Sequence, residues 1–219
     1  VGEGTAVITI SQAETNKWAG ESRQQTITVS KVTNTLGVSL GSLEAKVGNG
    51  ISVSLLNQNN AETPVVATIT EQTLSSEVNE GTDVISYANG VITAKNAGTA
   101  KITFSQNASA KYEAFTSSTY EITVTKNANP ISVTLNGGNA LSINLKYGAT
   151  ASLAYSSVHS ETPITVSRTS GSFTTLSGNT ITAGSSAGTD IYVLAQAETH
   201  QYEEGYAMFT VRVNNTNEE

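Results

Sequence analysis

Few residues of this 219-residue chain have side chains suited to catalysis, and their spacing argues against it. The chain has two histidines, His159 and His200, and its only aspartates are Asp83 and Asp190. Nucleophilic catalysis needs a nucleophile, a base and an orienting group brought together. No Ser-His-Asp arrangement can be argued from these positions. Both histidines fall in polar stretches and read as solvated loop residues. A calcium site needs several carboxylates close together, yet neither aspartate lies in an Asp-x-Asp cluster and neither linker is acidic. Glu62 and Glu161 each open a Glu-Thr-Pro turn and read as turn residues, while Glu203–Glu204 and Glu218–Glu219 read as solvated charge. The absence of cysteine excludes disulfides and thiolate metal sites. The expectation is a protein that is not an enzyme and holds no metal or cofactor.

The aromatic side chains offer more, because they recur. "GTAVITISQAETNKW", "GTAKITFSQNASAKY" and "GTDIYVLAQAETHQY" share a Gly-Thr, a strand, a Gln and then an aromatic. The matched positions are Gly4, Gln12 and Trp18; Gly98, Gln106 and Tyr112; and Gly188, Gln196 and Tyr202. Two readings of Trp18, Tyr112 and Tyr202 stand side by side. Each anchors its loop onto its own sandwich through a polar tip, or the set makes contacts with a neighbouring domain or a sugar. The third copy adds Ile191 and Val193, apolar residues out of phase with the inward Tyr192 and Leu194. They read either as a strand covered on both faces by a loop, or as a contact strip for a neighbouring domain or partner.

These positions belong to a repeat with a domain-sized period of about 90 residues. The upstream halves match too: "AETPVVATITE" parallels "SETPITVSRTS", and "GVITAKNAGT" parallels "NTITAGSSAGT". The expected organisation is a leading fragment over residues 1–33 and two full domains over 34–126 and 127–219. The joints are "KVTN" and "KNANP", short and polar. In the last domain the alternation predicts strands at 131–135, 141–146, 149–155, 164–168, 173–176, 180–183, 189–197 and 207–213. "ANG", "GNG", "NGGN" and "SGN" supply turn residues that tolerate positive φ. No sustained helical periodicity exists. The fold class is all-β, as tandem β-sandwiches preceded by a two-strand fragment.

Composition agrees. Charged residues make up only 13% of the chain, and the balance of residue types favours half-buried sheets over amphipathic helices. A net charge of −7 excludes a nucleic-acid partner and an anionic membrane surface. No apolar run is long enough to span a membrane. A cysteine-free sandwich fits a bacterial or cytosolic origin. Because the first residue is Val, the chain reads as a processed or trimmed piece of something longer. "NAS" at 107–109 and "NNT" at 214–216 match the glycosylation sequon and are taken as chance matches.

The run "VISYANGVITAKNAGTAKITF", Val84–Phe104, resembles the bacterial immunoglobulin-like domain of group 2, which occurs in tandem in intimin- and invasin-type adhesins. A weaker version follows at Thr180–Val193. The resemblance implies a non-catalytic sandwich of an exported bacterial surface or secreted protein, serving as stalk, spacer or display scaffold beside neighbouring domains. Two alternatives are an adhesin or glycan-binding module that recognises a host or cell-surface glycan or protein, and accessory domains of a surface polysaccharide-processing enzyme. Gly98 and Gly188 are expected at a turn ahead of a central strand, where a residue without Cβ lets the chain reverse.

The leading fragment raises a separate expectation. Ala6, Ile8, Ile10, Ile27 and Val29 give a two-strand hairpin an apolar face, and a lone hairpin is marginal in water. The hairpin is expected to lie against the middle domain or to be completed by another chain, through strand exchange over residues 4–29.

Overall fold

The structure, a computed structural model, describes residues 2–75 and 83–215. Glu218, Glu219 and Thr216, the last residue of the second sequon, lie outside them. The described residues form strands and turns only, and no helix is long and apolar enough to cross a membrane. The chain divides into two compact units. One gathers Val1–Thr73, Ile85–Ala94 and Thr99–Thr123, and the other Leu74–Val84, Lys95–Gly98 and Val124–Glu219.

A hairpin comes first, of β1 (Gly4–Gln12) and β2 (Glu21–Val29). The next strands are β3 (Gly37–Leu40), β4 (Glu44–Lys46), β5 (Gly50–Leu56) and β6 (Val65–Leu74). After them come β7 (Ile85–Ala88), β8 (Val91–Ala94), β9 (Gly98–Gln106), β10 (Phe115–Thr116) and β11 (Tyr120–Thr125). They make one sheet in the order β3-β5-β8-β7 and a second in the order β10-β9-β11-β4, with β6 also on β9.

The second unit repeats the plan. Its strands are β12 (Ser132–Leu135), β13 (Ser142–Lys146), β14 (Thr150–Ser156), β15 (Ile164–Ser170), β16 (Thr174–Ser177), β17 (Thr180–Ala183), β18 (Gly188–Gln196) and β19 (Gly205–Asn214). The sheets run β12-β14-β17-β16 and β13-β19-β18-β15. β13 joins β19 in parallel while the other pairs are antiparallel. A first strand split between two sheets, its second half parallel to the last strand, is an immunoglobulin-like order. The chain is thus all-β, of tandem immunoglobulin-like sandwiches.

Side-chain alternation explains the layering. In β9 the residues Ala100, Ile102 and Phe104 are buried, with partly exposed Lys101, Thr103 and Ser105 between them. In β18 Tyr192 and Leu194 hold the same places, and the Tyr192 ring stacks on Phe209 of β19 at 5.0 Å. Phe104 instead meets Tyr87 and Tyr120 edge-on, at 5.4 and 6.1 Å. Asn89-Gly90 and Asn136-Gly137 have positive φ at both residues, the tight-hairpin geometry that Asn-Gly favours. Every strand expected in the last domain is present within two residues of its anticipated ends.

Gly188 plays a different part from the one expected. It is the first residue of β18, not a turn residue, and a Cβ there would lie 2.3 Å from the Phe173 ring. Gly98 likewise opens β9. At Gly188 the missing side chain admits a neighbouring ring to the backbone, a close-packing requirement and not a reversal of the chain.

The β1–β2 hairpin stands apart from this packing. Its register, Gly4 opposite Val29 through Gln12 opposite Glu21, matches β18–β19 pair for pair over nine residues. Yet every residue of both strands is exposed, including Ile8 (47%), Ile10 (69%) and Ile27 (44%). The expectation that this face lies against the middle domain is not met.

Candidate functional site

The three recurrent aromatics sit in one recurrent turn. The Thr15 hydroxyl accepts from the Trp18 N–H at 3.1 Å, Ser109 from Tyr112 at 3.1 Å and Thr199 from Tyr202 at 3.1 Å. In each turn the first residue's N–H also donates to the aromatic's carbonyl, at 2.8, 3.0 and 3.0 Å. A hydroxyl that caps backbone N–H groups two and three residues on closes a loop with no outside help. The turn therefore forms identically in the isolated hairpin and in both complete sandwiches.

What surrounds the aromatic differs between copies. Trp18 is 72% exposed, whereas Tyr112 and Tyr202 are half-buried. Tyr202 stacks on His159 with ring centroids 4.6 Å apart and planes 12° from parallel. Both nitrogens of His159 are buried there without a hydrogen-bond partner, and His200 is only 5% exposed. The reading of the two histidines as solvated loop residues is therefore wrong: His159 is half-buried against the Tyr202 ring, and His200 is buried.

In the two complete copies the turn also captures the chain that enters its sandwich. The Val32 N–H donates to the Lys111 carbonyl at 2.8 Å, and the Glu113 N–H donates to the Val32 carbonyl at 2.9 Å. Asn127 makes the same pair of bonds with Gln201 and Glu203, at 2.8 and 2.9 Å. Beside them Lys126 meets Glu198 at 2.6 Å and Lys31 meets Glu3 at 3.6 Å.

The glutamine of the repeat acts as a buried clamp. Gln106 donates from Nε2 to the carbonyls of Asn60 (2.7 Å) and Thr63 (2.6 Å) and accepts from Asn34 Nδ2 (2.9 Å). Gln196 donates to Thr162 (2.6 Å) and His159 (3.3 Å) and accepts from Asn129 (3.1 Å). Both glutamines are 2% exposed, so each amide ties the incoming segment and the Glu-Thr-Pro turn to the end of a core strand. In the turn itself Asn60 Oδ1 accepts from the Glu62 N–H at 3.0 Å, as a turn residue's neighbour does. Gln12 is exposed and clamps nothing.

Asp190 is the buried carboxylate among the described residues. Its carboxylate accepts from the N–H groups of Phe173 and Thr174 (3.0 and 2.7 Å), from the Thr174 hydroxyl, and from Arg168 at 3.5 Å. Burial pushes its pKa up, but the donors at Phe173 and Thr174, with Arg168 behind them, outweigh that and hold it below the ordinary aspartate value. The Thr174 hydroxyl also bonds the Tyr192 hydroxyl at 2.7 Å. The group closes the β15–β16 loop, where Gly171 (φ +83°) leaves room for Asp190 Oδ1. One signal could have exposed it: the equivalent inward positions hold Ala6 and Ala100.

Ile191 and Val193 are half-buried on the outer face of β18. Across the register they oppose Thr210 and Met208, and Ala195 opposes Tyr206. Met208 is 55% and Tyr206 61% exposed, so an apolar strip on this face joins two open side chains to the half-buried Ile191 and Val193. The matching face of β9 carries Lys101, Thr103 and Ser105 instead. No group of three or more metal-ligating side chains occurs among the described residues.

No protein-family model matches the chain, and no curated protein matches it. Among solved structures it is similar to Drosophila N-cadherin EC1-4 (9% identity, 96% of this chain and 58% of that one, TM-score 0.29). It is also similar to the ectodomain of mouse nectin-like molecule 4 (13%, 85% and 67%, TM-score 0.30). A third is the insect immune protein hemolin (14%, 96% and 55%, TM-score 0.30). The chain spans little more than half of the cadherin and hemolin chains. Likenesses this slight bear on neither activity nor partner.

Proposed function

We propose that this chain is a non-catalytic series of immunoglobulin-like modules from a bacterial surface or secreted protein of the group 2 type, exported and used as a stalk or spacer. The observation that carries the reading is the repeated capture of the incoming segment. Val32 and Asn127 are both bonded to an aromatic turn only a few residues after the preceding strand ends. So short and polar a joint suits a stiff connection more than a flexible tether. The domain limits 34–126 and 127–219 belong to this proposal. Small-angle scattering on the full chain tests it. An extended particle, with a radius of gyration clearly above the roughly 17 Å of a compact protein of this length, is expected; a compact one overturns the spacer role.

The strip of Ile191, Val193, Tyr206 and Met208 favours a second reading, an adhesive or glycan-binding face. Tyr206 presents an open ring, and the matching β9 positions carry nothing like this strip. Glycan and host-matrix arrays probed with the wild type and with the pair Tyr206→Ser and Met208→Ser test it. Binding lost in the pair with the melting curve unchanged supports it, and no binding above background removes it.

A further inference from the structure

We infer that the β1–β2 hairpin is an acceptor for one kind of partner: the remaining strands of an immunoglobulin-like unit of the type this chain contains twice. The inference does not depend on the spacer reading. It rests on three matches between the hairpin and β18–β19. Nine residue pairs share the same register and the connection has the same length. The hydroxyl-capped aromatic turn is the same. Gln12 stands where Gln196 stands, in the last residue pair before the turn.

Because β18–β19 is seen with its complement in place, the chemistry of the absent partner can be read off position by position. Gln12 would donate to two carbonyls of a turn like Asn60–Thr63 or His159–Thr162, and accept from an asparagine side chain like Asn34 or Asn129. The Lys17 carbonyl and the Ala19 N–H would bond an incoming residue as those of Gln201 and Glu203 bond Asn127. The apolar residues of the face, Ile8 and Ile10 on β1 and Ile27 on β2, would cover a second sheet as Tyr192, Leu194 and Val211 do. Directly across from Ile10 and Ile8, β2 carries Arg23, ion-paired with Glu21 at 2.9 Å, and Gln25, where β19 has Ala207 and Phe209. The partner's surface is therefore more polar there than in the second unit.

The test extends the full chain with complements taken from itself. Residues 127–187 are placed directly ahead of Gly4 in one protein and residues 34–97 in another, and amide hydrogen exchange is followed. The expected result, in at least one of the two, is a rise in protection at Ala6, Ile8, Ile10 and Ile27 on the order of 100-fold. Gln12→Ala in that protein should lower the gain at least tenfold, while the same change in the unextended chain leaves the hairpin amides as they were. Hairpin amides that exchange in both extended proteins as in the unextended chain overturn the inference. So does a dimer of the unextended chain, seen by sedimentation, that protects these amides and is dissolved by Ile10→Asp, because the occupant is then a second copy.

Discussion

Replacing Asp190 by Asn tests whether a buried carboxylate staples the second unit. The carboxylate meets two backbone N–H groups and one hydroxyl at close range, with Arg168 at 3.5 Å. An amide of the same shape keeps one acceptor oxygen and turns an NH2 group toward donors. At least one buried donor loses its partner, at about 1–3 kcal/mol, and the surviving bonds fall from charge-assisted to neutral strength. Relief from burying a charge offsets part of this. The net expectation is a loss of about 2–4 kcal/mol.

Native-state hydrogen exchange on the full chain reads the second unit separately. Protection of the β18 amides should fall on the order of 100-fold while that of the β9 amides stays put. The pH dependence fixes the sign. The folded-state pKa of Asp190 lies below its unfolded value, so its stabilisation is complete above the unfolded pKa of about 3.9 and is lost as pH falls through the folded one. The gap between wild type and Asp190→Asn should be constant near neutrality and narrow on acidification below about pH 4. A loss under about 1 kcal/mol at neutral pH, or a gap that widens in acid, would refute the staple.

Three further outcomes follow from the same geometry. Gln106→Ala and Gln196→Ala should each cost about 2–3 kcal/mol in urea titrations, because each frees two carbonyls and an asparagine amide in a buried site. Gln12→Ala should change stability by less than about 0.5 kcal/mol, since that side chain is exposed and clamps nothing. Gly188→Ala should cost about 1–3 kcal/mol by pushing a methyl into the Phe173 ring. That cost should largely vanish in a Phe173→Ala background, measured as a double-mutant cycle.

Alternation and turn chemistry act within a few residues, so the sequence carried them openly. The strands from Ser132 to Asn214, the Asn-Gly reversals and the threefold repeat of Gly, Gln and aromatic could all be read without a structure. The capped turns at Thr15, Ser109 and Thr199 belong to the same class, since hydroxyl and amide are three residues apart. The roles of Gln106, Gln196 and Asp190 were of another kind. Gln106 meets Asn34 across 72 positions and Asp190 meets Thr174 across 16, so their partners exist only once the sheets have packed. The same holds for His159, whose polar stretch folds against Tyr202, and for Gly188, whose missing side chain matters because Phe173 arrives there.

The hairpin divides the two kinds of information most clearly. Local bonds set its register and its turn, identical to those of a complete sandwich. Whether Ile8, Ile10 and Gln12 are core residues depends on strands distant in the chain or in another molecule. Burial and buried hydrogen bonding are properties of the assembled layers, and only tertiary structure decides them.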